Sequence, residues 1–184
     1  VIVAPSVVPT GLVLNGLSLR YGGGTVGLPS YLNGGAALSL PGGAYSFSKL
    51  QLLNNTLGVR VVGAGVPTFG QSRFSGNATG LQAEQGATPS VGESDISGNT
   101  DYGVRNLNPA TVVNAQGNWW GHASGPRDTV GNPAGQGNAV SAGVNYGQYL
   151  PAEPVLTCTM VPTAGYVTRV RTIQLQLVCP QAAQ

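Results

Sequence analysis

The sequence predicts an all-β fold: a parallel β-helix of four to five coils followed by a small C-terminal β appendage. Three observations carry this. A 22-residue repeat occupies the middle of the chain, where Leu52-Leu53-Asn54-Asn55-Thr56-Leu57-Gly58-Val59 returns as Phe74-Ser75-Gly76-Asn77-Ala78-Thr79-Gly80-Leu81 and again as Ile96-Ser97-Gly98-Asn99-Thr100-Asp101-Tyr102-Gly103-Val104. The short runs at each repeat alternate in steps of two, with Leu50 and Leu52 about Gln51, Ser72 and Phe74 about Arg73, and Ser94 and Ile96 about Asp95. That is the period of a strand with one face inward. No segment carries apolar residues at helical spacing over three turns. A fixed period of roughly 20 to 30 residues marks stacked units that bury their apolar faces against their neighbours. Two or three short strands joined by glycine turns then make one coil, advancing roughly 4.8 Å along the axis.

Taken in order, Val1 to Pro9 is a β-branched run broken by Pro5 and Pro9, suited to an edge strand or an incoming linker. Gly11 to Tyr21 reads as the first coil strand, with Leu12, Leu14, Leu17 and Leu19 available to the interior. Gly22 to Gly35, glycine-rich and holding Pro29, reads as a loop protruding from the stack, where insertions cost little closure entropy. The stack resumes at Gly35 to Leu40, in the place later held by Val59 to Val62 and Leu81 to Ala83. Gly63 to Gly70 and Gly86 to Gly92 read as two further loops on one edge. Asn55, Asn77, Asn99 and Asn118 are read as one ladder, each with an apolar residue three positions earlier (Leu52, Phe74, Ile96, Ala115). At a shared corner each amide can donate to one neighbour and accept from the next. The plainer reading of each Asn is a residue that suits a turn.

The repeat stops at Asn118-Trp119-Trp120-Gly121-His122-Ala123-Ser124-Gly125-Pro126, followed by Asn132-Pro133-Ala134-Gly135-Gln136-Gly137-Asn138-Ala139-Val140 and Val144-Asn145-Tyr146. This segment resembles the one that closes right-handed parallel β-helix repeat proteins of the pectate-lyase-like superfamily. The family segment usually finishes in Pro-Trp-Leu; here Gln148-Tyr149-Leu150 stands in that place. The resemblance covers roughly residues 11 to 156. It implies a right-handed helix with Trp119 and Trp120 in its cap, on a secreted or surface protein. It implies no particular activity, because the superfamily includes lyases, hydrolases, epimerases, tailspikes, adhesins and noncatalytic shells.

Composition narrows the classes. Charged residues are 8% and glycines number 29, which fits an extracellular stacked-β protein better than a cytosolic enzyme or a disordered tail. A net charge of +2, with no basic run interleaved with aromatics, gives no case for nucleic acid. The chain has no initiating Met, signal peptide or apolar run long enough to span a membrane, which fits an excised part of a longer protein.

Candidate chemistry is sparse. Polysaccharide-cleaving β-helices need clustered carboxylates, or a Lys or Arg base with acidic calcium ligands. Glu93 and Asp95 are read as sharing a strand face, with Arg73 one repeat before Asp95, giving Arg73, Glu93 and Asp95 as the candidate carbohydrate-binding set. The plainer reading of Arg73 and Asp95 is an exterior ion pair contributing under about 1 kcal/mol. Lys49 stands alone at the start of a coil, and His122 is read as part of the cap. No catalytic set, metal-ligand spacing or cofactor motif is legible. Asn54-Asn55-Thr56 and Asn77-Ala78-Thr79 match the glycosylation acceptor pattern; a ladder would turn Asn77 inward and leave Asn54 the better placed, while the plainer reading is a pattern that recurs by chance.

Pro151 and Pro154 mark a boundary, dividing a helical region 1–150 from an appendage 151–184. The appendage holds two strand-like runs, Val155 to Val161 and Tyr166 to Val178, and the only cysteines, Cys158 and Cys179. In an exported protein these are expected to bond. A plain hairpin would set Cys158 opposite about residue 169, so a second bend near Arg171 or a third strand is expected. The function expected is noncatalytic: an extracellular structural or adhesive protein, a cell-surface or filament component, that associates with itself or with other surface proteins, or with polysaccharide, and uses no cofactor. The competing class is a carbohydrate-active enzyme, lyase or hydrolase, or its carbohydrate-binding remnant.

Overall fold

A computed structural model of the chain describes residues 13–15, 18–20, 35–155, 159–162 and 175–178. Among these every regular element is a strand, and the strands wind into a parallel β-solenoid of about four turns. Strands β1 (Val13–Asn15) and β2 (Ser18–Arg20) come first. One coil then comprises β3 (Ala36–Gly43), β4 (Ser46–Ser48) and β5 (Gln51–Leu53), and the next β6 (Leu57–Gly65), β7 (Thr68–Gly70) and β8 (Arg73–Ser75). The third holds β9 (Thr79–Glu84) and β10 (Ser90–Gly92), and the fourth β11 (Tyr102–Asn106) and β12 (Val113–Asn114). Strands β13 (Pro126–Arg127), β14 (Gly137–Ala139) and β15 (Val144–Asn145) close the stack.

Like strands of successive coils pair in parallel, giving sheets of order β3-β6-β9-β11, β1-β4-β7-β10-β12-β15 and β2-β5-β8. Single bridges carry two of these further: Arg73 to Asp95 to Trp119, and Val104 to Val140. The register explains the repeat. Leu38, Val59, Leu81 and Val104 stack in the first sheet, Phe47, Phe69 and Val91 in the second, and Leu52 and Phe74 in the third. All nine are buried. Tyr45, Phe47, Phe69 and Phe74 form a continuous aromatic series with ring centroids 6.1, 5.1 and 5.7 Å apart. Such pairs contribute about 0.5–1.5 kcal/mol each beyond the area they bury.

The glycine that follows each corner Asn is required by close backbone approach. A Cβ on Gly58 would collide with the Gly80 carbonyl oxygen, and one on Gly80 would lie 2.6 Å from the Gly103 carbonyl oxygen. The turn between the second and third sheets repeats one left-handed residue per coil: Lys49 (φ 57), Gln71 (φ 49), Glu93 (φ 52), Gly117 (φ 69) and Gln148 (φ 55). Each of the first four sends its N–H to the coil below, as in Gln71 to Gly92 O at 3.3 Å and Glu93 to Gly117 O at 3.0 Å.

Two expectations are corrected. Gly63 to Gly70 and Gly86 to Gly92 are not projecting loops, because they contain the end of β6 and all of β7, and all of β10. Gly63 takes positive φ within β6, and Gly86 takes it in the turn after β9, four residues before β10 begins. In the C-terminal region, β16 (Thr159–Pro162) pairs antiparallel with β17 (Leu175–Val178), Thr159 opposite Val178. Cys158 and Cys179 lie outside the described residues, as does most of Gly22 to Gly35.

Candidate functional site

Corner polar groups form two internal columns. Asn55 donates through its backbone N–H (3.0 Å) and Nδ2 (2.9 Å) to Asn77 Oδ1. Asn77 does the same to Asn99 Oδ1 at 3.1 and 3.0 Å, and Asn99 to Asn138 Oδ1 at 3.0 and 3.1 Å. The second proton of each central amide goes to the coil above: Asn77 Nδ2 to Leu52 O (2.9 Å) and Asn99 Nδ2 to Phe74 O (2.8 Å). Each amide is thereby saturated in both directions, as a buried amide must be.

Asn118 is not the fourth member. It belongs to a second column, in which Leu50 N donates to Ser72 Oγ (3.1 Å), Ser72 N to Ser94 Oγ (3.0 Å) and Ser94 N to Asn118 Oδ1 (3.0 Å). The reason is register. The bridge from Asp95 to Trp119 aligns Asn118 with Ser94 and Trp120 with Ile96, so Trp120, not Ala115, follows Leu52, Phe74 and Ile96. The chain then detours through β13 before Asn138 resumes the Asn column. Gly137-Asn138 matches Gly76-Asn77 and Gly98-Asn99, a signal the sequence carried. Trp120 is fully buried, whereas Trp119 faces outward and is half-buried.

Of the candidate set, Arg73 and Asp95 are brought together and Glu93 is not. Arg73 Nε lies 2.8 Å from Asp95 Oδ2. Glu93 occupies the left-handed turn instead of the strand face, is exposed, and accepts from Gln71 Nε2 at 3.2 Å. The member missed by sequence reading is Glu153, which pairs with Arg73 Nη2. Beyond Leu150, whose N–H donates to Asn118 O at 2.8 Å, the chain runs back along the outer side of the third sheet and sets Glu153 over Arg73. Asp95 is buried, with 1% of its surface exposed, while the Arg73 side chain stays partly exposed, so the pair joins an outward guanidinium to a buried carboxylate instead of lying wholly on the exterior. Burial chiefly raises the Asp95 pKa, with Glu153 adding to the rise, while the nearby Ser97 hydroxyl and Arg73 pull it down.

Other polar groups are likewise engaged locally. Arg60 makes a two-pronged contact with Glu84 at 2.9 and 2.7 Å. Burial pushes the Glu84 carboxyl up, but hydrogen bonds from Arg60 and Gln82 and the Arg60 charge outweigh it, and its pKa is lowered. His122 Nδ1 lies 2.8 Å from Ser124 Oγ and accepts the Ser124 N–H at 3.1 Å, which fixes a turn in the closing segment. Tyr146 donates to Asp128 Oδ2 at 3.0 Å, and burial together with that carboxylate pushes the phenol up to about 12. Lys49 is held in the turn column described above. Among the described residues no three His, Cys, Asp or Glu side chains converge as a metal-binding group. Comparison with known protein families, with curated proteins and with solved structures found no match, so the functional reading rests on the fold and these side chains.

Proposed function

We propose that this chain is a noncatalytic structural or adhesive module of an extracellular or cell-surface protein, built on a right-handed β-helix of the pectate-lyase-like type. The observation that carries the reading is the clasp at Asp95. At the candidate site Asp95 is buried and held by Arg73 of the preceding coil, whose guanidinium also pairs with Glu153. Acid–base or β-elimination chemistry needs such groups aimed at a substrate, whereas here they are aimed at one another. Function then falls to the surfaces of a rigid stack: its loops and its strand edges.

Two measurements test the reading. Protein incubated with pectin, alginate, polygalacturonate or chondroitin is expected to release neither unsaturated products nor reducing ends. Release abolished by Asp95→Asn or Arg73→Ala would establish the enzymatic alternative. Sedimentation is expected to show concentration-dependent association, and a strictly monomeric chain at high concentration would refute self-association.

A further inference from the structure

We infer that Asn54 is an N-glycan acceptor and that Asn77, in the only other acceptor triplet of the sequence, must remain unmodified for the coil to form. The inference rests on the extracellular reading above, because only a chain on an export route meets the glycosyl donor. Asn54-Asn55-Thr56 and Asn77-Ala78-Thr79 carry the same local pattern, but the fold places them oppositely. Asn54 is exposed in a left-handed turn (φ 56), with Thr56 also exposed, and its N–H is already satisfied by Ser75 O at 3.1 Å. Its side chain stands outside the Asn column and lies over Gly76. A Cβ on Gly76 would collide with Asn54 Oδ1, so the glycine leaves that amide its place at the outer corner.

Asn77 is 1% exposed, and its two amide protons are committed to Leu52 O at 2.9 Å and Asn99 Oδ1 at 3.0 Å. Glycosylation replaces one of those protons. In that reaction Nδ2 forms a bond to the anomeric carbon of a lipid-pyrophosphate-linked oligosaccharide, the bond from that carbon to the pyrophosphate oxygen breaks, the lipid pyrophosphate leaves with the electron pair, and the displaced amide proton passes to a base of the transferase. On Asn54 the sugar projects into solvent. On Asn77 it would remove a ladder bond and demand room inside a packed corner, where an unmade hydrogen bond is costly.

The test is expression of the full chain behind a cleavable leader in a eukaryotic secretory pathway, which imposes the compartment and so separates this inference from the question of native location. Peptide mass mapping before and after peptide N-glycosidase is expected to find a glycan on Asn54, converted to Asp by the enzyme, with Asn77 unmodified in the secreted protein. Thr56→Ala is expected to abolish the modification, and Thr79→Val to leave it intact. Asn54 bare in chain recovered from the pathway, whether secreted or retained, overturns the inference, as does secreted, protease-resistant protein carrying a glycan on Asn77.

Discussion

Replacing Asn77 by Ala tests the internal ladder most directly. The side chain accepts from the Asn55 backbone N–H and from Asn55 Nδ2, and donates to Leu52 O and Asn99 Oδ1. Asn55 and Asn77 are 4% and 1% exposed, so water does not reach the groups left behind. Asn99 Oδ1 keeps the backbone N–H of residue 77, and Leu52 O is an acceptor, which tolerates partial satisfaction better than a donor. The Asn55 backbone N–H and the Nδ2 proton given to Asn77 Oδ1 are the donors that lose their acceptor. At about 1–3 kcal/mol for each buried unsatisfied group, Asn77→Ala is expected to cost about 2–6 kcal/mol. That is a large part of the ~5–15 kcal/mol that holds a typical domain. Asn54→Gly, one coil up, exposed and in a left-handed turn (φ 56) that glycine adopts without strain, is the matched control and is expected to change stability by under about 0.5 kcal/mol. Urea unfolding followed by far-UV circular dichroism measures both, and Asn77→Ala is expected to accelerate hydrogen exchange at the Asn55 amide. Equal effects of the two substitutions would show that the column is incidental to stability.

Three further outcomes are expected. Trp120→Ala, at a fully buried position stacked on Ile96, is expected to cost about 3–5 kcal/mol, with a smaller loss for the half-buried Trp119→Ala, both read from urea midpoints. The Asp95 pKa is raised above its ordinary 3.8, so its contribution is greatest below that value and is lost as pH rises through the folded-state value. Glu84, lowered from 4.5, contributes above that value and loses its contribution as pH falls through the folded-state one. Urea midpoints across the acidic range should therefore lose their decline with rising pH in Asp95→Asn and part of their rise in Glu84→Gln; unchanged profiles would contradict the burial and pairing described. Cys158 and Cys179 are each one residue beyond the Thr159–Val178 pair, and intact mass under nonreducing conditions is expected to show one intramolecular disulfide, worth about 3 kcal/mol for a loop of ~20 residues. Two free thiols would refute it.

The solenoid was legible because each coil repeats one solution to the same packing problem. Phe74 and Ile96 recur after Leu52, and Gly58 and Gly80 recur because their backbones nearly touch the next coil. Legibility failed where the step changed. Asn118 follows Asn99 at a shorter spacing than the repeat, and counting Asn residues placed it in the wrong column. Aligning the strand residues before Trp119 with those before Asp95 would have placed it beside Ser94. Glu93 was misread because alternation was extended into a turn, where the left-handed backbone removes the residue from the strand face. Glu153 carried no local signal at all. Its partner is 80 residues away, and nothing in a Pro-flanked Glu announces that the chain turns back over the sheet.

The ladders and the closing segment together make the stack directional. Every ladder amide donates toward the later coil through Nδ2 and its own N–H, so the column ends at Asn138, whose Oδ1 accepts from Asn99 and whose Nδ2 turns back to Asn99 O at 2.6 Å. The last coil is therefore satisfied by its own residues, with Trp120 filling the interior beneath it. An end closed in this way leaves few unpaired groups for a second copy, so the association proposed for the chain falls to other surfaces of the stack.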